Sequence, residues 1–558
     1  MTYAIDFEYF AAEGERPRPH CLCWVIVETG EEGRLWIDDT TTAPTFGRDG
    51  LIVAHYALAE LGCYEALGWA TPPRVIDTLA EARVVRGQAR TGGGWGLLGV
   101  AAAYGIQTMS GEHKGEMREV AMQPEVPVDR RGDLLEYCLD DCRALAELWR
   151  RLGPSVDLPR AELRGRYLKA LGRVEGRGIP ADVELIGRLA SSWPAIREKV
   201  RESALEVYPG TFSDSGSFSA TGWLRWCDQN AVPWPQYPTG APQLDDDTFK
   251  RVASRFPEVE FMRNTRRTLS QSRAVGFPLG ADGRLRCMLS PFGSDTGRNQ
   301  PSNAKYVFGQ AAWLRRIIQA PPGRVLGYID FSSQEFAVAA ALSGDEAMQA
   351  DYQSGDPYLA LARRSHGVPD DATKATHPKE RAAFKITALA VQYGMQSDSL
   401  AASLGVGRGR AAELIRAHRE AYSSFWKWRD AVIDHLLTGG RYETILGWRR
   451  IAKSKDKSTS IGNFPFQAAG GEILRLAIIA LEEAGHRVVA PVHDAVLIEM
   501  EEDGHEEELG QVRRLMEKAG RVITGGMTIR TDAELVMPGE HFEDPRGTAM
   551  WEAIGAEI

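Results

Sequence analysis

Apolar and polar positions alternate with a period of two at the start of the chain. The runs Tyr3–Phe10, His20–Glu28 and Arg34–Asp38 are rich in β-branched and aromatic residues and predict three strands. The period then changes. Leu134, Leu135, Cys138, Cys142, Leu145 and Leu148 recur at threes and fours, which predicts a helix to about Leu152, ended by Gly153-Pro154. These elements make a first α/β unit. Residues 160 to about 275 read as mostly helical. Arg164, Arg166, Lys169, Arg173 and Arg177 cluster there, and charge alone favours a solvated helix face. From about residue 282 the pattern is mixed. Gly323–Asp330 predicts a strand, Pro378 to about Met395 a helix, and Val488–Val492 with Ala495–Met500 a hairpin joined at His493-Asp494. Glu501 to Glu508 reads as a solvated acidic loop. No internal repeat or low-complexity segment interrupts this order.

The chain has 558 residues, 43% apolar and 25% charged, the balance of a globular protein of several domains. A net charge of −10 excludes a simple polybasic nucleic-acid coat but leaves room for a local basic cleft. The opening MTYAIDFEYF lacks the basic start of a signal peptide, and no apolar run reaches the ~18 residues of a membrane span, so no membrane association is expected. Seven scattered cysteines, without a CxxC, fit a reducing, cytoplasmic setting better than a disulfide framework or zinc ribbon. His20-Cys21-x-Cys23 reads as strand packing, because no second half of a metal site follows it.

Two carboxylate clusters carry the candidate chemistry. Asp6 and Glu8, two apart in a strand, point to one face, and a like-charged pair is costly unless a cation sits between. Tyr137 and Asp141 lie one turn apart on the later helix. If that helix packs on the first strand, Asp6, Glu8 and Asp141 form a hard-oxygen site suited to two Mg²⁺ or Mn²⁺ ions, with Tyr137 placed to orient a water. In the second cluster Asp330 ends a strand and Asp494 sits in a turn, again a candidate paired-metal site. Between them Arg381, Lys385, Leu389 and Tyr393 recur every fourth residue, one drifting stripe of a helix with two cations suited to a triphosphate. The spacing alone favours a solvated amphipathic helix for that stripe.

The first cluster resembles the DEDD-type 3′→5′ exonucleases, tyrosine subgroup, over residues 1–155. Glu60 falls where that family has a further Asp, and Tyr56 where it has an Asn; Asp77 is a weaker substitute. The second cluster resembles family A DNA polymerases. Asp330-Phe331-Ser332-Ser333-Gln334-Glu335, the Arg381/Lys385/Tyr393-Gly394 stripe and Val492-His493-Asp494 stand in that family's order. Glu175 with Gly178–Asp182, Thr296-Gly297-Arg298 with Pro301-Ser302-Asn303, and Asn463-x3-Gln467 resemble flanking motifs.

The resemblance implies an α+β multidomain fold. A ribonuclease H-like α/β exonuclease domain (1–155) would precede a right-hand polymerase (156–558) with thumb about 160–310 and palm and fingers about 311–558, the fingers being about 345–440 and the palm holding an antiparallel sheet. It implies template-directed addition of dNTPs to a primer 3′-hydroxyl on primer-template DNA, with proofreading, by a monomeric phage-type replicative enzyme with no separate 5′-nuclease domain. Asp330 and Asp494 would bind two Mg²⁺ for transfer, and Asp6, Glu8, Asp141 and Glu60 two for the exonuclease. Arg381 and Lys385 would hold the triphosphate, Lys385 also as general acid. Glu335 would exclude a 2′-hydroxyl; Gln334, Leu389 and Tyr393 would line the nucleotide site. Thr296, Arg298, Asn463 and Gln467 would contact the minor groove and His493 the primer end. The stretches Arg164–Arg177, Arg263–Arg273 and Arg449–Lys457 would meet the phosphate backbone. Leu389 stands where the family often has Phe or Tyr, Gln334 where it has Ile, Thr459 for Arg, and Ala495 for Glu. Rival readings are a single-subunit RNA polymerase, which Glu335 opposes; a non-catalytic or nuclease-only DNA-binding scaffold, which the intact Asp330, Asp494, Arg381 and Lys385 oppose; and a polymerase tuned to a modified dNTP, suggested by Gln334 and Leu389.

Overall fold

The computed structural model describes residues 1–108, 111–213, 215–237, 239–253, 255–270 and 276–555. The alternating N-terminal runs form strands β1 (Thr2–Phe10), β2 (Arg18–Ile26) and β3 (Glu32–Trp36). They are joined by β4 (Leu51–Ala54) and β5 (Arg74–Asp77) in one sheet of order β3-β2-β1-β4-β5. The first three strands are antiparallel, while β4 and β5 run parallel to β1. A short helix, α1 (Leu58–Ala66), follows β4, and the helix read from the Leu/Cys periodicity is α2 (Arg131–Leu152). α2 lies on β1 and β2, burying Leu134, Cys138, Cys142 and Leu145 against Ala4, Cys21 and Cys23. The Cys138 thiol donates to the Asp6 carbonyl at 3.2 Å, so the helix docks at the β1 carboxylates.

Helix α3 (Leu158–Arg177) crosses the other face of this sheet. Gly165 allows the approach: a Cβ there would fall 1.9 Å from the Val75 carbonyl oxygen. Arg164 and Glu81 form a two-bond ion pair at 2.6 and 2.7 Å across this contact, both buried. A helical region follows, with its own aromatic core of Trp223, Trp226, Trp234 and Phe249.

The second half is built on an antiparallel sheet. Its strands are β6 (Arg324–Phe331), β7 (Arg487–Val492), β8 (Ala495–Glu501) and β9 (Thr531–Val536), in the order β7-β8-β6-β9. The expected hairpin is β7–β8, with Val492 opposite Ala495 and His493-Asp494 in the turn. Helices α4 (Gln334–Ser343), α5 (Pro378–Gln392), α6 (Ser458–Glu483) and α7 (His505–Ile523) complete the framework.

One expectation is corrected here. Glu506, Glu507 and Glu508 are not a loop; they form the first turn of α7, where acids meet the positive end of the helix dipole. α6 is long and apolar enough by composition to cross a membrane, but 78% of its most apolar window is buried within the protein. Its Gly- and Ala-rich faces are covered on several sides, so it is a core helix whose apolar character comes from being surrounded.

Candidate active sites

Register places the second pair of carboxylates. Asp330 stands opposite Ala495 on one side and Asp532 on the other, and Asp494 directly precedes Ala495 in the turn. Burial, then the neighbouring Asp494 charge, then Asp532, push the Asp330 carboxyl up to about 7, and its Oδ1 is buried without a partner. Charge crowding and an orphaned oxygen are what a cation would relieve, so the donor set fits hard divalent metal. His493 holds φ 55°, a left-handed conformation that a non-glycine residue keeps at a cost of ~1–3 kcal/mol. That turn lifts His493 into solvent and leaves Asp494 beside Asp330.

Helix α5 presents its expected stripe. The Arg381 guanidinium is 5.6 Å and the Lys385 ammonium 5.9 Å from the centre of the buried Tyr358 ring. Arg381 Nε donates to Asp356, while Lys385 is exposed. Leu389 is half-buried against the core, and Tyr393 caps the helix. Gln467 Nε2 donates to the Tyr393 hydroxyl at 3.4 Å, and Asn463 Nδ2 to its carbonyl at 3.2 Å. Burial and the Glu335 charge raise the Tyr393 phenol. Arg298 donates from Nε to the Gln467 carbonyl at 3.0 Å and lies 3.6 Å from Glu335. Thr296 is turned inward, its hydroxyl 2.9 Å from Ser294 Oγ. Gln334 is buried with both side-chain amide atoms unpartnered; a Cβ on Gly470 would fall 2.7 Å from Gln334 Oε1 and 3.0 Å from an Arg298 nitrogen. Glu335, Tyr393, Arg298, Gln467 and Asn463, spread over 170 residues of sequence, therefore meet around one wall.

The N-terminal cluster forms as well. Carboxylate oxygens of Asp6, Glu8 and Asp141 lie within 4.8 Å of one another. Burial first, then neighbouring acids, raise Asp6 well above the carboxylate range; burial and then Asp141 push Glu8 up to about 8. Asp141 Oδ1 is buried and unpartnered. This donor set also fits a divalent cation. Lys114 Nζ reaches Asp141 Oδ2 at 2.5 Å and lies 5.7 Å from the Tyr137 ring centre. Glu60 is buried beside Asp6 but stands outside that trio, its Oε2 accepting the Phe7 N–H at 2.8 Å. Asp77 caps the Thr78–Val85 helix, accepting from the Leu79 and Tyr56 N–H groups, and is not part of the trio.

Residues 298–536 match the family model of DNA polymerase family A. This part of the chain resembles DNA polymerase family A. The DNA polymerase of Mycobacterium phage D29 is 28% identical over 494 residues, covering 81% of this chain and 78% of that protein. The thermostable DNA polymerase I of Thermus caldophilus is 29% identical over 258 residues, 42% of this chain, and the match spans only 30% of that relative's length. The POL domain of Pol1 from M. smegmatis, solved in complex with DNA primer-template and dNTP, superposes with a TM-score of 0.71 at 18% identity, over 98% of this chain and 96% of that one. That likeness gives the fold of the family.

Some residues of the site escaped the sequence reading. Asp532 reaches Asp330 through strand pairing alone, and Tyr358 with Asp356 braces the cations of α5 from a separate helix. The only sequence signal for Asp532 was alternation in Thr531–Val536. One expectation is overturned. Arg164 pairs with Glu81 and Arg177 with Glu482 inside the protein, so these two are not free for DNA, while Arg166 pairs with Glu483 and Lys169 donates to the Pro73 carbonyl at the surface. Arg263 pairs with Asp246, Arg449 with Glu443 and Arg450 with Asp456. Arg273 lies outside the described residues.

Proposed function

We propose that this protein is a template-directed DNA polymerase that adds dNTPs to a primer 3′-hydroxyl, with a 3′→5′ proofreading exonuclease in residues 1–155. The observation that carries the reading is the meeting of Asp330 and Asp494 at the strand ends, with Arg381 and Lys385 of α5 set about the Tyr358 ring, whose hydroxyl bonds Ser333, three residues after Asp330, at 3.0 Å. The Asp330/Asp494 and Asp6/Glu8/Asp141 groups would each hold Mg²⁺ or Mn²⁺, two ions per site, which would activate the attacking oxygen and stabilise the leaving one. Arg381 and Lys385 bind the triphosphate, and Lys385 is the proton donor to departing pyrophosphate, a role suited to an exposed ammonium beside phosphates. Glu335 closes the space at the sugar 2′ position and selects deoxynucleotides. Arg298, Asn463 and Gln467 face the minor groove, whose acceptors are shared by all correct pairs, so they check shape without reading sequence. His493, exposed at its turn, contacts the primer end. Tyr137 orients the water of the exonuclease.

The five-strand order, antiparallel then parallel, supports a ribonuclease H-like exonuclease domain, followed by thumb, palm and fingers within 156–558. The phage D29 relative, matched over most of its length, supports a phage replicative role. Asp330→Ala is expected to abolish extension of a labelled primer while a gel shift with the same primer-template persists. Asp6→Ala with Glu8→Ala is expected to abolish primer shortening without dNTPs. Extension by the first variant, or shortening by the second, would refute the corresponding assignment.

A further inference from the structure

One buried side chain of the N-terminal unit reaches the turn before Arg298. Arg83, on the Thr78–Val85 helix, is 5% exposed. Its guanidinium donates to the carbonyls of Gly293 and Ser294, each at 3.0 Å, and from Nε to Gln88 Oε1 at 2.9 Å. It also lies 3.7 Å from the Asp295 carboxylate and 5.3 Å from the centre of the Trp95 ring. Gln88 extends the grip, donating to the Arg449 carbonyl at 3.2 Å. The acceptors on Gly293 and Ser294 are main-chain atoms, so Arg83 fixes the path of the backbone there.

That backbone leads into the turn that carries Arg298. Ser294 Oγ accepts the Arg298 N–H at 3.0 Å, and the Ser294 N–H donates back to the Arg298 carbonyl at 3.3 Å. From the opposite side Arg475 donates to the Gly297 carbonyl at 3.1 Å, and Trp448 Nε1 to the Asp295 carbonyl at 2.9 Å. The turn is held from both sides, and one of the two belongs to the N-terminal unit.

We propose that Arg83 is a positioning residue for Arg298: through the Gly293–Ser294 carbonyls, the N-terminal unit sets where the Arg298 guanidinium stands against the newly formed base pair. The inference rests on the polymerase reading above. A planar guanidinium bonded to two successive carbonyls fixes direction as well as distance, which an ammonium cannot do. Displacement of a positioned group by about 1 Å is enough to lose much of its effect on a reaction. Arg83 therefore contributes to discrimination during synthesis although it lies in the unit assigned to proofreading, and its effect survives when proofreading is blocked.

The test uses the full chain and primers whose 3′-terminal linkage is a phosphorothioate, which blocks shortening. Single-turnover extension is measured for matched and mismatched primer ends with the wild type, Arg83→Met, Arg83→Lys, Arg298→Ala and the Arg83→Met/Arg298→Ala double variant. Arg83→Met is expected to lower kcat/KM on matched ends about tenfold, mainly through kcat, and to reduce the preference for matched ends by a similar factor. Arg83→Lys, which keeps the charge but loses the fork, should recover part of both. The double variant should be no worse than Arg298→Ala alone, because the two residues act through one turn. Losses that add in the double variant, or an unchanged preference in Arg83→Met, would overturn the proposal. Should Arg83→Met fail to fold, Arg83→Lys carries the same comparison, and an unchanged preference in it is equally fatal. A wild type that extends no primer refutes the polymerase reading itself, and this inference with it.

Discussion

Neutralising Asp330 should make the metal-free protein more stable while destroying its proposed activity. Burial and the Asp494 charge raise the Asp330 carboxyl from 3.8 to about 7. A raised acid means that the folded state holds its proton more tightly than the unfolded chain. Stability from this group is therefore highest below pH 3.8, declines as pH rises towards 7, and is flat above. A shift of about three units corresponds to ~4 kcal/mol at pH 8. Asp330 is only half-buried, so solvent screening reduces this to roughly 2 kcal/mol. Asp330→Asn removes the penalty. In EDTA at pH 8 the variant should melt a few °C above the wild type, and about half of that gain should remain at pH 5.5. Added Mg²⁺ should stabilise the wild type by mass action and leave the variant nearly unmoved, reversing the order. Differential scanning calorimetry with and without EDTA reads all three comparisons. A variant equal to or below the wild type in EDTA at pH 8 would show that the Asp330–Asp494 pair carries no electrostatic strain.

Other consequences follow from single residues. Glu81→Gln leaves the buried Arg164 charge uncompensated and should destabilise the protein by ~3–5 kcal/mol, read by urea unfolding; a loss below 1 kcal/mol would mean that water reaches the pair. Glu335→Ala frees Arg298 and, on the proposed role of Glu335 at the sugar, should raise ribonucleotide incorporation in a gap-filling assay by at least tenfold; unchanged selectivity would remove Glu335 as the gate. Leu389→Tyr places a ring on the α5 stripe and should change the ratio of dideoxy- to deoxynucleotide incorporation, with little effect on melting because Leu389 is only half-buried; an unchanged ratio would place Leu389 away from the sugar.

Local periodicity made the framework readable. β1 and β2 are readable from their β-branched and aromatic residues and the β7–β8 hairpin from two short apolar runs buried on both faces, while α2 shows threes and fours because one side lies on the sheet. The paired acids were readable for the same reason: Asp6 and Glu8 share a face by strand geometry, and Asp494 had to sit in a turn between two apolar runs. Contacts made only by tertiary pairing were not readable. Asp532 stands opposite Asp330 across about 200 residues of chain, through β9–β6 register. Lys114 enters the first cluster from a helix whose sequence shows no link to Asp141. The cations of α3 misled because charge does not say which way a helix faces; Arg164 and Arg177 turn inward to Glu81 and Glu482.

The most direct measurement is a single gel with an end-labelled primer annealed to a longer template, the full chain and Mg²⁺, run with and without dNTPs. Extension with dNTPs and stepwise shortening without them are the predicted results, one for each carboxylate cluster. Extension without shortening would remove the exonuclease from the account. A primer unchanged in both lanes, while still bound by the protein, would contradict the claim that Asp330 and Asp494 form a working site.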